Sequence, residues 1–274
     1  MASIIDFKLP RALAAALRIP VNDARRQQLR VLRKLLRKAR FTEFGQQYRF
    51  DEILLSRHAG KGFQEIVPIH DYNSIYEQWW KKTLDGVPDV AWPGKIKYYA
   101  LSSGTSEAAS KYIPVTQEMV RSNMVNSVRQ LISIIKYEEA NRRAMTKGVL
   151  MLGGATDLKK GKAGWYAGDL SGILAKKRPF WFQTFYKPGG RIAAIANWND
   201  KLNEIVEHAK DWDIGYIVGV PAWCQMCMEM IIEHYKLNNI HEIWPNFSFF
   251  VHGGVAFEPY KKGFEKLLAK PIVY

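Results

Sequence analysis

A chain of 274 residues is long enough for one large domain or two small ones. Hydrophobic residues make up 47% and aromatic ones 13%, which excludes a disordered, collagenous or low-complexity chain, because that much apolar surface has to be buried. Its 40 basic residues against 26 acidic ones leave a net charge of +14, a balance that attracts nucleic acid, anionic lipid or phosphorylated small molecules.

The residues from Met1 to Pro20 contain Pro10 and only a short apolar patch, Leu13 to Leu17, too thin for a signal-peptide core. Residues 21–40 predict an amphipathic helix. Leu29, Leu32, Leu35, Leu36 and Ala39 recur at spacings of three and four, and Asn22 or Asp23 is placed to cap its start. Arg25 to Arg40 holds eight basic residues and no acidic one. That face suits an anion or a membrane surface. The preferred reading is a packed helix whose long cationic side chains cover apolar surface and are solvated at their tips.

Residues 41–95 are irregular and aromatic-rich, with a helix expected from Tyr72 to Leu84 and turns at Asp85-Gly86-Val87-Pro88 and Trp92-Pro93-Gly94. From residue 96 the rhythm changes. A β-rich run, Ile96 to Ser102, leads into a small-polar loop and then a helix from Gln117 to about Tyr137, with Thr116 as its cap and Val120, Met124, Val128, Leu131 and Ile135 as its apolar stripe. A strand follows at Gly148 to Leu152, then a glycine-rich stretch, Gly153 to Gly172, read as a solvent loop or a mobile lid. Asn199 to Ala209 is helical. Two strand-then-helix units close the chain: Ile214–Val220 with Pro221–His234, and Phe247–His252 with Glu258–Ala269. Nearly all-apolar strands alternating with helices predict an α/β architecture with covered sheets. The expected division is residues 1–95, helical and irregular, and residues 96–274, an α/β portion. No run approaches the ~20 apolar residues that span a bilayer. The most apolar stretch, Ile217 to Ile232, is interrupted by Pro221, Gln225 and Glu229.

The sharpest chemical feature is Ser102-Ser103-Gly104-Thr105-Ser106, ending at Lys111. Hydroxyls, a glycine that lets backbone approach closely, and a terminal lysine are what phosphate oxygens need. A Walker A loop requires a second glycine directly before the lysine. Ser110 stands there instead, so a P-loop kinase or NTPase is disfavoured.

That loop, with Ile113-Pro114 after it, resembles the first nucleotide-binding motif of the auxin-responsive acyl acid-amido synthetase family, a branch of the acyl-adenylating, luciferase-like superfamily. Other segments resemble the family in order: Thr42-Glu43-Phe44-Gly45; Val67-Pro68-Ile69 with Tyr72; Gly86 to Asp89 with Trp92-Pro93-Gly94 and Tyr98; Gly219-Val220-Pro221-Ala222-Trp223; and Gly253-Gly254-Val255 through Phe257, Pro259 and Tyr260.

The resemblance implies the large domain of an acyl-adenylate-forming enzyme and chemistry in two steps. A carboxylic acid attacks the α-phosphate of ATP, giving an acyl-adenylate and pyrophosphate. An amine or amino acid then takes the acyl group as an amide. ATP and Mg2+ are the implied cofactors. Ser102, Ser103, Gly104, Thr105, Ser106 and Lys111 are placed at the phosphates by resemblance. His252, Gly253, Gly254 and Val255 are placed near adenine and the acyl group, and Trp223, with His252, on the acyl pocket wall. A cationic cradle there would stabilise charge on the transferring phosphorus and the leaving pyrophosphate.

The sequence departs from the family at Ala108, where a glycine is usual, and it contains no Tyr-x-x-Ser-Glu segment. It is therefore expected to be the N-terminal half of such an enzyme, needing a C-terminal half or a second polypeptide, and to adenylate poorly alone. Neither a specific nucleic-acid partner nor a membrane span is expected. The competing reading is a basic, non-catalytic module that binds nucleic acid or anionic lipid through residues 21–40. Cys224 and Cys227 are too few for a disulfide framework, which points to a reducing, cytoplasmic setting. The Cys-x-x-Cys they form lacks a well-spaced second ligand pair, since His234 and His241 are the nearest histidines, and reads as core packing with no metal bound.

Overall fold

The computed structural model describes residues 24–102, 111–134 and 143–274. The chain forms two compact units. One comprises Met1–Lys97 with Val125–Arg129 and Lys162–Trp165; the other comprises Tyr98–Met124, Gln130–Gly161 and Tyr166–Tyr274.

The first unit is helical. Its elements are α1 (Ala24–Ala39), α2 (Glu43–Gln47), α3 (Phe50–Leu55), α4 (Ala59–Ile66), α5 (Tyr72–Ile75) and α6 (Lys81–Leu84), with a π-helical turn, Tyr76–Trp80, joining the last two. The expected helix over Tyr72 to Leu84 is thus continuous. Its aromatic face buries Trp79 against Phe44, ring centroids 5.1 Å apart. Helix α1 buries Leu36 and Ala39 with Phe50, Ile53 and Ala59 of α3 and α4, so apolar spacing alone accounts for its seat. The proposed caps Asn22 and Asp23 lie outside the described residues.

Thr42-Glu43-Phe44-Gly45 is a structural device. The Thr42 hydroxyl donates to the Ala39 carbonyl at 2.7 Å and accepts from the Gly45 N–H at 3.1 Å, ending α1 and capping α2 with one side chain. A Cβ at Gly45 would lie 2.1 Å from the Ala39 oxygen, so only glycine fits. Asp89 and Gly94 close a tight loop, both at positive φ, with the Gly94 N–H donating to the Asp89 carboxylate at 2.7 Å. Backbone N–H groups of Glu43 and Phe44 donate to the carbonyls of Asp89 and Val90, each at 2.9 Å.

The second unit runs β1 (Tyr98–Leu101), β2 (Tyr112–Val115), α7 (Gln117–Ile134), β3 (Gly148–Leu152), β4 (Lys159–Lys160), β5 (Tyr166–Gly168), α8 (Leu170–Lys176), β6 (Tyr186–Lys187), α9 (Gly190–Ala193), α10 (Trp198–His208), β7 (Ile214–Gly219), α11 (Pro221–Tyr235), β8 (Phe249–His252) and α12 (Glu258–Lys266). Two four-stranded sheets result. One has the order β2-β1-β5-β4, with β1 and β5 parallel and both outer strands antiparallel to their neighbours. The other, β6-β3-β7-β8, is parallel throughout.

The parallel sheet is apolar on both faces, as strands between layers should be. Leu150, Ile217 and Phe250 point into a core with Leu202 and Ile205 of α10, Met228 and Ile231 of α11 and Phe264 of α12. Val149, Tyr216 and Phe249 line the opposite face, the Tyr216 and Phe249 rings stacked at 4.8 Å. Cys224 and Cys227 lie fully buried in the first of these cores.

The glycine-rich stretch corrects the sequence reading. Residues 153–172 hold β4, β5 and the start of α8, and four of their glycines are packed tightly. A Cβ at Gly172 would lie 2.0 Å from the Ala155 carbonyl oxygen, and one at Gly154 would lie 2.3 Å from Asp169 Cβ. Element ends move too. The strand expected over Phe247 to His252 starts at Phe249, and the helix expected to reach Ala269 stops at Lys266. Helix α10 begins at Trp198 because Asn197 caps it, accepting from the Asp200 N–H at 3.1 Å.

Candidate active site

In an open parallel sheet, ligands bind outside the carboxyl ends of the strands, where the chain leaves for the next helix. Here Leu152 of β3 pairs with Gly219 of β7, and Gly219 pairs with His252 of β8. Three strands therefore end in one row. From that row emerge Gly153-Gly154, Val220-Pro221 and Gly253-Gly254.

The residues placed by resemblance near adenine and the acyl group converge on this edge. His252 is the last residue of β8 and stacks on Phe257 at 4.7 Å, which fixes its ring. Gly253, Gly254 and Val255 follow it and are exposed, Val255 by 47%. Gly254 has φ +87, a conformation that favours glycine, and a Cβ there would touch Val220 at 3.6 Å. Trp223 sits in the first turn of α11, set off by Pro221 at the helix start. Its ring lies 4.5 Å from that of Trp198 on α10. Glycine at position 219 is required, because a Cβ would approach Cys224 Sγ to 2.8 Å and the Leu152 oxygen to 3.0 Å.

The phosphate-loop candidate lies on the other sheet of the same unit. Ser102 leaves β1 and Lys111 enters β2. Leu101 pairs with Tyr112, and the Ser102 N–H donates to the Lys111 carbonyl at 3.2 Å. The first and last residues of the motif thus lie side by side at the ends of two paired antiparallel strands. Ser103, Gly104, Thr105 and Ser106 lie outside the described residues, as does Ala108. Lys111 is exposed and Ser102 half-buried. Ala100, two residues before Ser102, pairs with Gly168 on β5, so this strand pair stands beside the strand that leads into Asp169 and α8.

A polar cluster missed in the sequence joins these parts. The Asp169 carboxylate caps α8 by accepting from the Ser171 N–H at 2.7 Å and the Ser171 hydroxyl at 2.5 Å. Ser171 Oγ accepts from the Gly154 N–H at 2.7 Å. Lys201, only 4% exposed, donates from Nζ to the Gly153 carbonyl at 3.2 Å. Burial holds its ammonium below the ordinary 10.5, and the charge of Asp169 opposes that shift. The available signal was spacing. Trp198, Lys201, Leu202 and Ile205 fall on one face of α10, so Lys201 sits on the inward stripe.

For the implied ATP, Ser102 and Lys111 bring a hydroxyl and an ammonium group to the ends of the same strand pair, groups of the kind that suit phosphate oxygens. Among the described residues no three His, Cys, Asp or Glu side chains gather to hold a metal ion. Nor, among the described residues, is any helix long and apolar enough to cross a membrane.

Comparison with known proteins gives this geometry a family. The GH3 family N-terminal domain matches residues 17–202. Among curated proteins none matches in sequence. Among solved structures, the one described as "AtGH3.15 acyl acid amido synthetase in complex with 2,4-DB" aligns with a TM-score of 0.64 at 18% identity, covering 86% of this chain and 40% of that one. A second, "GH3.15 acyl acid amido synthetase", aligns with a TM-score of 0.67 at 14% identity, covering 96% of this chain and 54% of that one. At these identities the likeness is one of fold. The chain spans about half the length of the structures it matches, or less.

Proposed function

The chain belongs to the GH3 family, and from that premise we propose that it carries the nucleotide- and acyl-binding part of an ATP-dependent acyl acid amido synthetase. The observation that supports this most is the convergence of β3, β7 and β8 on one edge, with Trp223, His252 and Gly253-Gly254-Val255 beside it. The α/β portion after residue 95 is then the nucleotide-binding part, and the helical portion before it a flank.

In this reading the Ser102 to Ser106 backbone and hydroxyls, with Lys111, hold the phosphates of ATP. The carboxylate of a small organic acid attacks the α-phosphorus. The bond to the β-phosphate breaks and pyrophosphate leaves. An amine or amino acid next attacks the acyl carbon, loses a proton and releases AMP. Trp223 and the stacked His252 ring form the apolar wall that excludes water from the acyl group. Completion of the site falls to a C-terminal half or a second polypeptide, in the cytoplasm. Family membership favours this over a basic module whose whole function is the helix at residues 21–40.

Calorimetric titration of Mg-ATP into this chain at moderate salt tests the reading, beside the Ser103→Ala, Lys111→Ala variant. Saturable binding that the double variant loses supports it. Binding unchanged in the variant removes Ser103 and Lys111 from the phosphate site. If this chain binds no ATP, the same titration on a chain extended to the length of its structural relatives decides: no binding there overturns the proposal.

A further inference from the structure

Helix α1 does more than pack. Its inward face is accounted for by Leu36 and Ala39, with Leu29 and Leu32 partly buried beside them. Its outward face combines exposed cations with exposed apolar side chains. Arg30, Lys34 and Arg37 are exposed, and among the described residues no carboxylate pairs with any of them. Beside them stand Val31 and Leu35, one turn apart and exposed by 55% and 44%, and Phe41 just past the helix end, exposed by 69%. The Arg40 guanidinium lies 4.3 Å from the centre of the Phe41 ring and 3.7 Å from the Asp51 carboxylate.

We propose that this face docks on an anionic lipid bilayer, with Val31, Leu35 and Phe41 entering the headgroup layer and Arg30, Lys34 and Arg37 resting on lipid phosphates. The charge complementarity is one-sided, since α1 holds no acidic residue at all. The exposed apolar side chains choose between polyanions. A nucleic acid would be held by the cations alone and would leave Val31 and Leu35 in water. A bilayer interface uses both, because buried apolar area and attraction to anionic headgroups add along an interfacial helix. Arg26, Arg30, Arg33 and Arg37 with Leu29 line a shallow groove along one flank of this face. The Arg33 guanidinium reaches the Ser56 carbonyl at 3.5 Å while its Nε is buried without a partner.

The test is co-sedimentation of the full chain with vesicles of phosphatidylcholine alone or with about one-third phosphatidylserine. Binding is expected only to the second. Arg30→Glu, Lys34→Glu, Arg37→Glu together should weaken it by about a hundredfold, and Val31→Asp, Leu35→Asp together by about tenfold. Circular dichroism and thermal melts of each variant, unchanged from the wild type, are the control that the chain remains folded. Leu35→Cys carrying an environment-sensitive dye provides a second reading, whose emission should shift to the blue on phosphatidylserine vesicles. Absence of vesicle binding overturns the proposal. So does binding indifferent to Val31 and Leu35, with no dye shift, or duplex DNA displacing the vesicles at equal charge concentration. Either of the last two would reassign the face to generic polyanion attraction.

Discussion

Lys201 Nζ donates to the Gly153 carbonyl at 3.2 Å from a position only 4% exposed, so a buried cation fastens the turn that leaves β3. Its ammonium is kept below 10.5 by burial. Below that depressed value the folded state bears the cost of a desolvated charge, and the cost is relieved as the pH rises through it toward 10.5. The stability of the wild type relative to Lys201→Met should therefore increase over that interval. In urea at neutral pH, Lys201→Ala should lose about 2–3 kcal/mol by leaving a cavity, whereas Lys201→Met should lose less than about 1.5 kcal/mol. Equal losses would place the role of Lys201 in its charge.

His241 offers the opposite end of the pH scale. Its Nδ1 accepts from the Ala269 N–H at 3.1 Å and its Nε2 faces the Phe247 carbonyl at 3.0 Å, an arrangement that only the neutral, Nε2-protonated ring satisfies. Burial lowers its pKa from 6.5; the Phe247 hydrogen bond works against that, and Lys270 adds to it. The unfolded chain takes up the proton first. Stability contributed here is therefore present above pH 6.5 and lost as the pH falls toward the lowered value. His241→Gln should flatten that acid-side decline in thermal melts followed between these two values. A decline of unchanged slope would assign it to other groups.

Much of this fold was legible because local signals agreed. The run Ile214 to Val220 followed by Pro221 fixes a buried strand and a helix start almost to the residue. The Gly45 and Thr42 pairing was legible only as a motif; its physical reason, a carbonyl 2.1 Å from where a Cβ would stand, belongs to tertiary structure. The strands at Lys159–Lys160 and Tyr166–Gly168 were missed because two or three residues cannot display a period of two. Tyr166–Gly168 is paired with β1, more than sixty positions away, and Lys159–Lys160 is paired in turn with β5. At the candidate site Gly253, Gly254 and Trp223 stand out in the sequence, whereas nothing local separates Lys201 from the other charges of α10.

Gly172→Ala addresses the corrected segment directly. The new methyl would meet the Ala155 carbonyl oxygen at 2.0 Å, which is backbone and cannot rotate away. A loss of about 1–3 kcal/mol is expected in urea unfolding. A tolerated substitution would return residues 153–172 to a loosely held loop.

The two cysteines should be slow to react. Burial pushes the Cys227 thiol up to about 12, and burial with the neighbouring Cys227 raises Cys224 well above its ordinary 9.0. From 9.0 to about 12 the thiolate fraction at neutral pH falls about a thousandfold, before access is considered. Native protein should consume almost no aromatic disulfide reagent over the time in which the urea-unfolded chain consumes two equivalents. Rapid native labelling would remove Cys224 and Cys227 from the core.

The turn at Gly153-Gly154 is shared property. It ends a strand of the parallel sheet, yet Ser171 and Gly172 hold it against α8, which follows a strand of the other sheet. The sheet holding β1 and β2 and the parallel sheet that ends at His252 are thus joined by a short strut of backbone. The two sheets of this unit are therefore not free to slide independently: a displacement at the end of β3 is passed to the start of α8 through the Gly154–Ser171 hydrogen bond.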